Sequence, residues 1–187
     1  MVGQSLFIRE EIMSTQRVVL NFVLFQIGWF ACVLGAANQL PWLGFVIAAS
    51  LAGIQLAFVA NPVKELQLML VACVIGATFD QLILNHGVVY YQANGWSQAV
   101  VPIWIIGLWV AFASTLNASL RWLRHRYVIA VLFGAIGGPL AYMAAEKLGA
   151  VTLTITPSSH IVLAVGWGVL TPLLMVLSKK FDGHANV

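Results

Sequence analysis

Asp80 is the residue whose type and surroundings most suggest chemistry, because the flanking sequence LVACVIGATFDQLIL (70–84) is almost entirely apolar. A carboxylate at mid-membrane costs at least about 2.5–3.5 kcal/mol on insertion scales, and less toward the surface. Such a residue is tolerated where it faces the interior of a helix bundle, a partner or water. Two interpretations stay open. Asp80 binds a ligand or a proton, or it accepts an inter-helix hydrogen bond from a Trp, a Tyr or a backbone N–H.

Small residues surround Asp80 on its own helix. Cys73, Gly76 and Ala77 share one helical face with Asp80, at spacings that place them one above the other. A face of small residues lets a neighbouring helix approach closely. We therefore expect this face to pack against another helix and to carry Asp80 into the bundle.

Further polar and aromatic residues are expected at the depth of Asp80. Each alone is an ordinary interfacial residue, but together they could line an outward-facing pocket with aromatic walls and few polar groups. The candidate ligand-binding residues are Asp80, His86, Trp104, Tyr142, Glu146 and His160. The acidic and histidine members have no i, i+4 spacing typical of helical metal ligands, so we predict no metal site and no cofactor.

A second polar set lies on the fourth apolar segment, near its predicted cytoplasmic end. Ser114, Asn117 and Arg121 occupy one stripe, at i, i+3 and i+7. Arg124 and Arg126 follow directly. Basic residues beside a membrane attract anionic headgroups at about 1 kcal/mol each. The stripe therefore indicates either a contact with lipids or a partner, or only the topology of the chain.

The elements that must position these residues are transmembrane helices. Only 8% of the residues are charged and 61% are hydrophobic, whereas soluble domains carry about 25% charged residues. The apolar runs do not alternate in polarity, which excludes spanning strands. We predict an all-α polytopic bundle whose six transmembrane helices are each about 27–30 Å long. They cover roughly 18–36, 42–60, 66–85, 101–120, 127–145 and 160–178.

Basic residues predict the orientation of this bundle. With the N-terminus inside, one side of the membrane holds eight of the nine Lys and Arg, and the other side holds only Lys147. The eight are Arg9, Arg17, Lys64, Arg121, Arg124, Arg126, Lys179 and Lys180. We expect both termini in the cytoplasm (N-in/C-in) of a multi-pass protein of the bacterial inner membrane. The scattered basic residues form no patch for nucleic acid.

Three regions follow along the chain. Residues 1–17 form a polar cytoplasmic segment, either disordered or a short interfacial helix; residues 18–178 form the transmembrane domain; residues 179–187 form a short cytoplasmic tail. The first apolar run exceeds the length of a signal-peptide core, so we expect it to be a retained helix. Cys32 and Cys73 fall inside predicted helices, and no disulfide is expected.

Loops and glycines add local predictions. The connection 86–100 is rich in aromatic residues, which settle at the membrane interface or form a lid over a site. The alternating stretch 151–156 predicts a short extended segment on the bundle. Gly134 and Gly138 form a G-x-x-x-G motif, which favours close helix packing. Pro139 and Pro172 predict kinks in the last two helices.

Several stretches together resemble one family of small bacterial inner-membrane proteins, catalogued as domain of unknown function 2878. They are the run Asp80–Asn85, the stretch from Pro102 to Trp109, the segment TLNASLRW (115–122) and the segment FGAIGGPLAY (133–142). The resemblance covers most of the chain from the first helix to the last, and it implies no established activity. Neighbouring genes in such families often encode proteins similar to cyclopropane-fatty-acid synthases, which implies a link to membrane lipids.

Three functions remain open. The favoured hypothesis is binding or transport of a small, partly apolar ligand or lipid near Asp80; in size and helix number the chain is similar to the substrate-binding subunits of energy-coupling-factor vitamin transporters. The second is a membrane enzyme of lipid modification, with Asp80 and His86 as acid and base. The third is a non-catalytic scaffold for a lipid-modifying partner. Expected partners are membrane lipids, a small-molecule ligand and a membrane or cytoplasmic protein.

Overall fold

The computed structural model describes residues 2–154 and 157–184, with side chains from Thr15 onward. The described residues form six helices, and a 3₁₀ turn at Arg121–Leu123 links the fourth to the fifth. Two short strands complete the structure, β1 (Val89–Tyr91) and β2 (Val151–Leu153). The helices are α1 (Val2–Ala37), α2 (Pro41–Leu56), α3 (Pro62–Asn85), α4 (Ile103–Leu116), α5 (Tyr127–Lys147) and α6 (Ser158–Lys180). The predicted six-helix, all-α architecture is confirmed.

The helices present apolar surfaces to their surroundings. Among the described residues, four stretches are long and apolar enough to cross a membrane: Thr15–Ala37, Pro62–Asn85, Tyr127–Lys147 and Ser158–Lys180. Large apolar side chains point outward along them, and Val74, Val128 and Val165 are each more than 60% exposed. Surfaces of this kind are stable against lipid and unfavourable in water. The chain is therefore a multi-pass helical membrane protein.

Two helices are shorter than predicted. The predicted helix 42–60 is α2, which ends at Leu56, and the predicted helix 101–120 is α4, which ends at Leu116. At 16 and 14 residues they are about 24 and 21 Å long. Apolar residues continue past α2, but the chain turns there before Asn61, whose side chain caps α3 by accepting a hydrogen bond from the Lys64 backbone N–H (3.2 Å). Hydropathy alone does not detect such turns.

The first helix, in contrast, is longer than predicted. The predicted polar segment 1–17 continues the first transmembrane helix, because α1 begins at Val2 and runs without interruption to Ala37. The two alternatives for this segment were disorder and a short helix, and the described backbone is helical.

The two prolines with predicted kinks lie inside helices. Pro139 lies within α5 and Pro172 within α6, and each helix continues past its proline.

The short helix α4 occupies the centre of the bundle. Ten of its fourteen residues are buried. It packs against α1 and α2 on one side and against α3 on another, while α5 pairs with α6. Small residues allow these crossings: Gly44 of α2 lies so close to Ala31 and Cys32 of α1 that a Cβ would overlap their backbone. The core is thus built around a helix that is largely hidden from lipid.

Glycines also set the α5–α6 and α3–α4 contacts. A Cβ at Gly134 or Gly138 would overlap Trp167 of α6, and a Cβ at Gly76 would overlap the indole of Trp109 in α4. The G-x-x-x-G motif is therefore a packing motif here. On the predicted small-residue face of α3, Gly76 and Asp80 are buried against the bundle, whereas Cys73 and Ala77 are half-buried.

The two strands join distant loops. β1 and β2 pair antiparallel, with Val89 opposite Leu153 and Tyr91 opposite Val151. The alternating stretch is therefore extended at 151–153, whereas Ile155 and Thr156 lie outside the described residues. We call the end of the bundle that carries these strands the strand end, and the opposite end, which carries Arg121 and Arg124, the arginine end.

Candidate functional site

Asp80 is a hydrogen-bonded hub near the strand end. Its side chain is 1% exposed. Its Oδ1 accepts hydrogen bonds from the hydroxyls of Tyr91 (2.6 Å) and Tyr142, and its Oδ2 accepts one from the Trp109 Nε1–H (2.5 Å). These donors come from the β1 strand, α5 and α4. Asp80 thus makes the inter-helix bonds to Trp and Tyr that the second interpretation predicted.

The surrounding rings are held in place by their own contacts. Trp109 stacks on Trp167 of α6, with ring centroids 4.9 Å apart and planes 7° from parallel. Tyr91 meets Trp104 edge to face at 5.8 Å, and the Trp104 Nε1–H donates to the Ala93 carbonyl (2.8 Å). Burial raises the pKa of Tyr91 well above its ordinary value, and the neighbouring Asp80 and Tyr142 raise it further. The Tyr91 phenol therefore stays protonated and remains a donor.

A cleft of about 490 Å³ runs along the bundle from this hub. Five of the described helices contribute to its walls, and most of its lining is aromatic, aliphatic or glycine. From α1 it takes Phe22, Phe25, Gln26, Trp29, Phe30 and Val33. The span from Phe22 to Val33 corresponds to about 16 Å of helix, so the cleft extends along roughly half of a hydrocarbon core of about 30 Å.

The cleft opens sideways between α1 and α5. Its lining residues Phe22 and Phe30 on α1, and Phe133 and Leu140 on α5, are all exposed. α1 packs against α2 and α4, whereas α5 packs against α6. The rim is thus apolar and faces outward from the bundle, where a membrane protein meets hydrocarbon.

Polar groups in the cleft differ in how they are satisfied. Asp80 accepts the bonds described above, and the Thr115 hydroxyl donates to the Phe112 carbonyl (2.6 Å). By contrast, the buried hydroxyl oxygens of Ser119 and Thr171 have no hydrogen-bond partner among the described residues. Thr171 is 1% exposed. These groups are positioned to interact with whatever fills the cleft.

A second polar cluster ties the chain together at the arginine end. Glu65, 1% exposed, accepts hydrogen bonds through Oε1 from Asn117 Nδ2 and from the Gly183 backbone N–H (3.0 Å). The His184 ring nitrogen Nδ1 lies 3.1 Å from the same oxygen. Asn117 Nδ2 also donates to the Phe181 carbonyl (2.9 Å). We call this group, with Asp182, Arg121 and Arg124, the tail clasp.

Arginines complete the tail clasp. Arg124 donates to Asp182 (2.7 Å) and to Asn117, and Arg121 lies 3.0 Å from Asp182. Burial opposes ionisation of Asp182, but hydrogen bonds from Arg124 and the His184 backbone, with the charges of Arg124 and Arg121, hold its pKa below the ordinary value. Glu65, Asp182 and His184 have ligand atoms within 4.8 Å of one another. Because the two arginines already pair with Asp182, we interpret the cluster as an ion-pair network.

The candidate ligand-binding residues fall into two groups. Asp80, Trp104 and Tyr142 line the cleft. The other three lie outside its lining: His86 is exposed at the end of α3, Glu146 accepts a hydrogen bond from the Leu153 backbone N–H (2.8 Å), and His160 is half-buried in the first turn of α6.

The predicted polar stripe is divided between two networks. Ser114 accepts a hydrogen bond from the amide of Gln55 (3.3 Å), and its carbonyl accepts one from Asn21 (3.0 Å), which joins α1, α2 and α4. Asn117 and Arg121 belong to the tail clasp. The stripe therefore makes contacts within the chain.

Sequence reasoning did not select Gln26, Thr171, Glu65 or Asp182. Gln26 and Thr171 carry a readable signal, since each is polar inside a long apolar run. Glu65 falls one residue before the predicted start of its helix, and Asp182 lies in the predicted tail. Nothing in their spacing indicates that they belong to one cluster.

Comparison with known proteins gives a single finding. A family model described as "Protein of unknown function (DUF2878)" matches residues 18–173, which is most of the chain. No curated protein and no solved structure matches the chain. The match agrees with the resemblance noted from the sequence and brings no activity with it.

Proposed function

The chain belongs to the DUF2878 family, and we propose that it binds a partly apolar lipid or lipid-like molecule in the cleft between α1 and α5. The observation that carries the proposal is a cavity of about 490 Å³ whose rim residues are both apolar and exposed. Ligand sites are usually concave and mostly apolar, with a few placed polar groups. The cleft has this composition.

Entry from the bilayer follows from the rim. A ligand that arrived from water would pass polar side chains, whereas Phe22, Phe30, Phe133 and Leu140 offer hydrocarbon and aromatic surface. Burying the ligand's apolar chain here replaces lipid contacts by protein contacts, so shape and packing decide the affinity. The ligand therefore comes from the membrane itself.

The strand end favours this entry as well. Gln81 Oε1 accepts a hydrogen bond from the Val101 backbone N–H (2.8 Å), and Gln81 Nε2 donates to the Ala99 carbonyl (3.0 Å). Trp42 packs edge to face on Trp96 at 5.9 Å and donates to the Gly95 carbonyl (2.8 Å). These contacts hold the loop 86–100 over the bundle end, and Tyr91 covers Asp80. The lid interpretation of this loop is thus the one that we adopt.

The other two functions have less support. An acid–base pair of Asp80 and His86 would need both residues at one cavity, but His86 is exposed and outside the cleft lining. A scaffold that uses Arg121, Arg124 and Arg126 would have to compete with Asp182, which already pairs with Arg121 and Arg124. Ligand binding needs no such rearrangement.

The test uses a side chain placed inside the cleft. Gly137 lines the cleft, and a Cβ there would meet no atom within 4 Å. Gly137→Leu should therefore occupy the cleft without disturbing the helices. Gly53→Leu is the matched control, because Gly53 is an exposed helix glycine with equally open space and lies outside the cleft.

The probe is hexadecane with a mid-chain diazirine, added to phosphatidylcholine nanodiscs that contain the protein. We expect saturable photolabelling of peptides within 22–33 and 133–145, a severalfold loss in Gly137→Leu, and unchanged labelling in Gly53→Leu. Labelling that rises linearly with probe and is equal in all three proteins would show only surrounding lipid, and the proposal would fail.

A further inference from the structure

Besides the Trp167 Nε1–H, three polar side chains in the cleft lack hydrogen-bond partners among the described residues. The hydroxyls of Ser119 and Thr171 are unpartnered among the described residues, and their oxygen atoms are buried. The side chain of Gln26, the middle residue of the span Thr15–Ala37, is half-buried and makes no hydrogen bond with any described residue. All three line the same cavity: Gln26 from α1, Ser119 from the turn after α4, and Thr171 from α6.

From this juxtaposition we propose a polar subsite, formed by Gln26, Ser119 and Thr171, that hydrogen-bonds an uncharged oxygen group of the lipid in the cleft. The group is a hydroxyl or a carbonyl. The inference rests on the proposed function and adds the chemical class of the ligand to it.

Unpartnered polar groups in hydrocarbon surroundings are costly. A buried donor or acceptor without a partner costs about 1–3 kcal/mol, and buried polar groups are normally satisfied. The Thr115 hydroxyl, on the neighbouring stretch of the cleft wall, is satisfied by the Phe112 carbonyl. Thr171 has an i−4 carbonyl available on its own helix and makes no bond of this kind. A ligand oxygen would give these groups the partners that the protein does not supply.

The charge of the lining selects an uncharged ligand group. Among the described residues that line the cleft, Asp80 alone has an ionisable acidic or basic side chain. Its carboxyl group already accepts hydrogen bonds from Tyr91, Tyr142 and Trp109. A phosphate or carboxylate group would find no counter-charge there, and burying an unpaired charge is strongly unfavourable. Hydroxyl and amide side chains both donate and accept, so they suit an alcohol and a carbonyl equally.

The test is a competition between matched ligands. Unlabelled hexadecanol, hexadecanoic acid and hexadecane each displace the diazirine-bearing hexadecane from wild type, Thr171→Val and Gln26→Leu. In wild type, hexadecanol should displace the probe at a lower mole fraction than the other two competitors. Each substitution should reduce its advantage over hexadecane by about two- to tenfold, the value of one net hydrogen bond.

Thr78→Val is the control for loss of a threonine hydroxyl. Thr78 is an exposed residue of α3 whose hydroxyl donates to the Val74 carbonyl (2.7 Å), and it lies outside the cleft lining. It should retain the wild-type preference for hexadecanol.

Each contrary outcome has one meaning. Equal displacement by hexadecanol and hexadecane in wild type would overturn the subsite, while saturable probe labelling would still support the cleft as a lipid site. A Thr171→Val protein that weakens all three competitors equally would make Thr171 a packing residue and overturn the subsite too. If the hexadecane probe itself shows no saturable labelling, the proposed function fails and the subsite with it.

Discussion

Two buried carboxyl groups, Asp80 and Glu65, each join several elements of the chain. Asp80 accepts bonds from α4, α5 and β1 near the strand end, and Glu65 accepts bonds from the end of α4 and from the segment after α6 at the arginine end. A buried polar group left without a hydrogen-bond partner costs about 1–3 kcal/mol, so each of these bonds favours the folded arrangement. At the scale of single residues, these carboxyl groups connect elements that are distant in the chain.

The bond from Tyr91 to Asp80 can be tested with a neighbouring tyrosine as control. Tyr91→Phe removes one donor from a buried carboxyl group and should lower the free energy of unfolding by about 1–3 kcal/mol. Tyr90 is 54% exposed, so Tyr90→Phe should change stability by less than about 0.5 kcal/mol. Thermal unfolding in detergent measures both, and equal midpoints for the two variants would contradict the hub.

The lowered pKa of Asp182 predicts how the tail clasp responds to acid. Its pKa is lower in the folded protein than the ordinary value of 3.8, so its ionised form stabilises the fold. This stabilisation is complete above the ordinary pKa of an aspartate and is lost as the pH falls through the lowered folded value. Wild type should therefore lose stability relative to Asp182→Asn as the pH is lowered below about 4.

Unfolding midpoints of the two proteins between pH 7 and pH 3 check this prediction. Asp182→Asn should be the less stable protein at neutral pH, and the two curves should converge in acid. A constant difference at every pH would mean that the ion pairs with Arg121 and Arg124 contribute nothing through charge.

At the scale of elements, adjacent glycines in α5 have different roles. Gly134 and Gly138 face α6 and let the backbones approach, whereas Gly137 faces open space in the cleft. A pattern of small residues in a membrane helix thus contains both a packing face and a binding face. The two faces can belong to neighbouring residues, because positions 137 and 138 differ in direction by about 100° around the helix axis.

Alanine substitutions distinguish these two faces. Gly138→Ala should lower stability by about 1–3 kcal/mol, because its Cβ would overlap the Trp167 side chain and overpacking is destabilising. Gly137→Ala should be neutral or stabilising by up to about 1 kcal/mol, because alanine favours the helix. Melting temperatures of the two variants measure the difference, and equal losses would contradict the assigned faces.

The sequence predicted the positions of the helices better than the hydrogen-bond partners of individual side chains. Asp80 could be predicted to lie inside the bundle, because its flanks are apolar and Gly76 shares its face. Its bond to Tyr142 could not, since 62 residues separate the two in the chain. Helix ends at Leu56 and Leu116 depend on turns and capping contacts, to which hydropathy is blind.

Some residues of the candidate site could be selected from the sequence, and others could not. Trp104 and Tyr142 were selected because aromatic rings line ligand pockets, and they do line the cleft. Gln26 was missed although a polar residue in the middle of an apolar run is a visible signal. The tail clasp could not be found, because Asp182 and Arg124 are ordinary charges next to a membrane until the fold brings them together.

At the scale of the whole molecule, the two polar clusters lie at opposite ends and the cleft lies between them. The excess of basic residues at the arginine end predicts that this end faces the cytoplasm of a bacterium and that the strand end faces outward. The topology determines which leaflet supplies the ligand, so it is the first property of the whole molecule to measure.

Cysteine labelling on intact cells tests the orientation. Ser97 is exposed in the loop 86–100, and Arg126 is exposed before α5. A membrane-impermeant maleimide should label Ser97→Cys directly and Arg126→Cys only after permeabilisation. Wild type serves as the control, because Cys32 is buried and Cys73 is half-buried within its helix. The reverse pattern would invert the predicted topology.

The tail clasp also has a consequence for how the protein is made. The Glu65 carboxyl group accepts a hydrogen bond from the backbone N–H of Gly183, which is synthesised 118 residues later. At about 5–20 residues per second, a ribosome needs on the order of ten seconds to cover this distance. During that interval the carboxyl group at the start of α3 lacks its final bonds. A chain that was interrupted before Gly183 would never form these bonds. We therefore expect such chains to be less stable at this end and more susceptible to proteases.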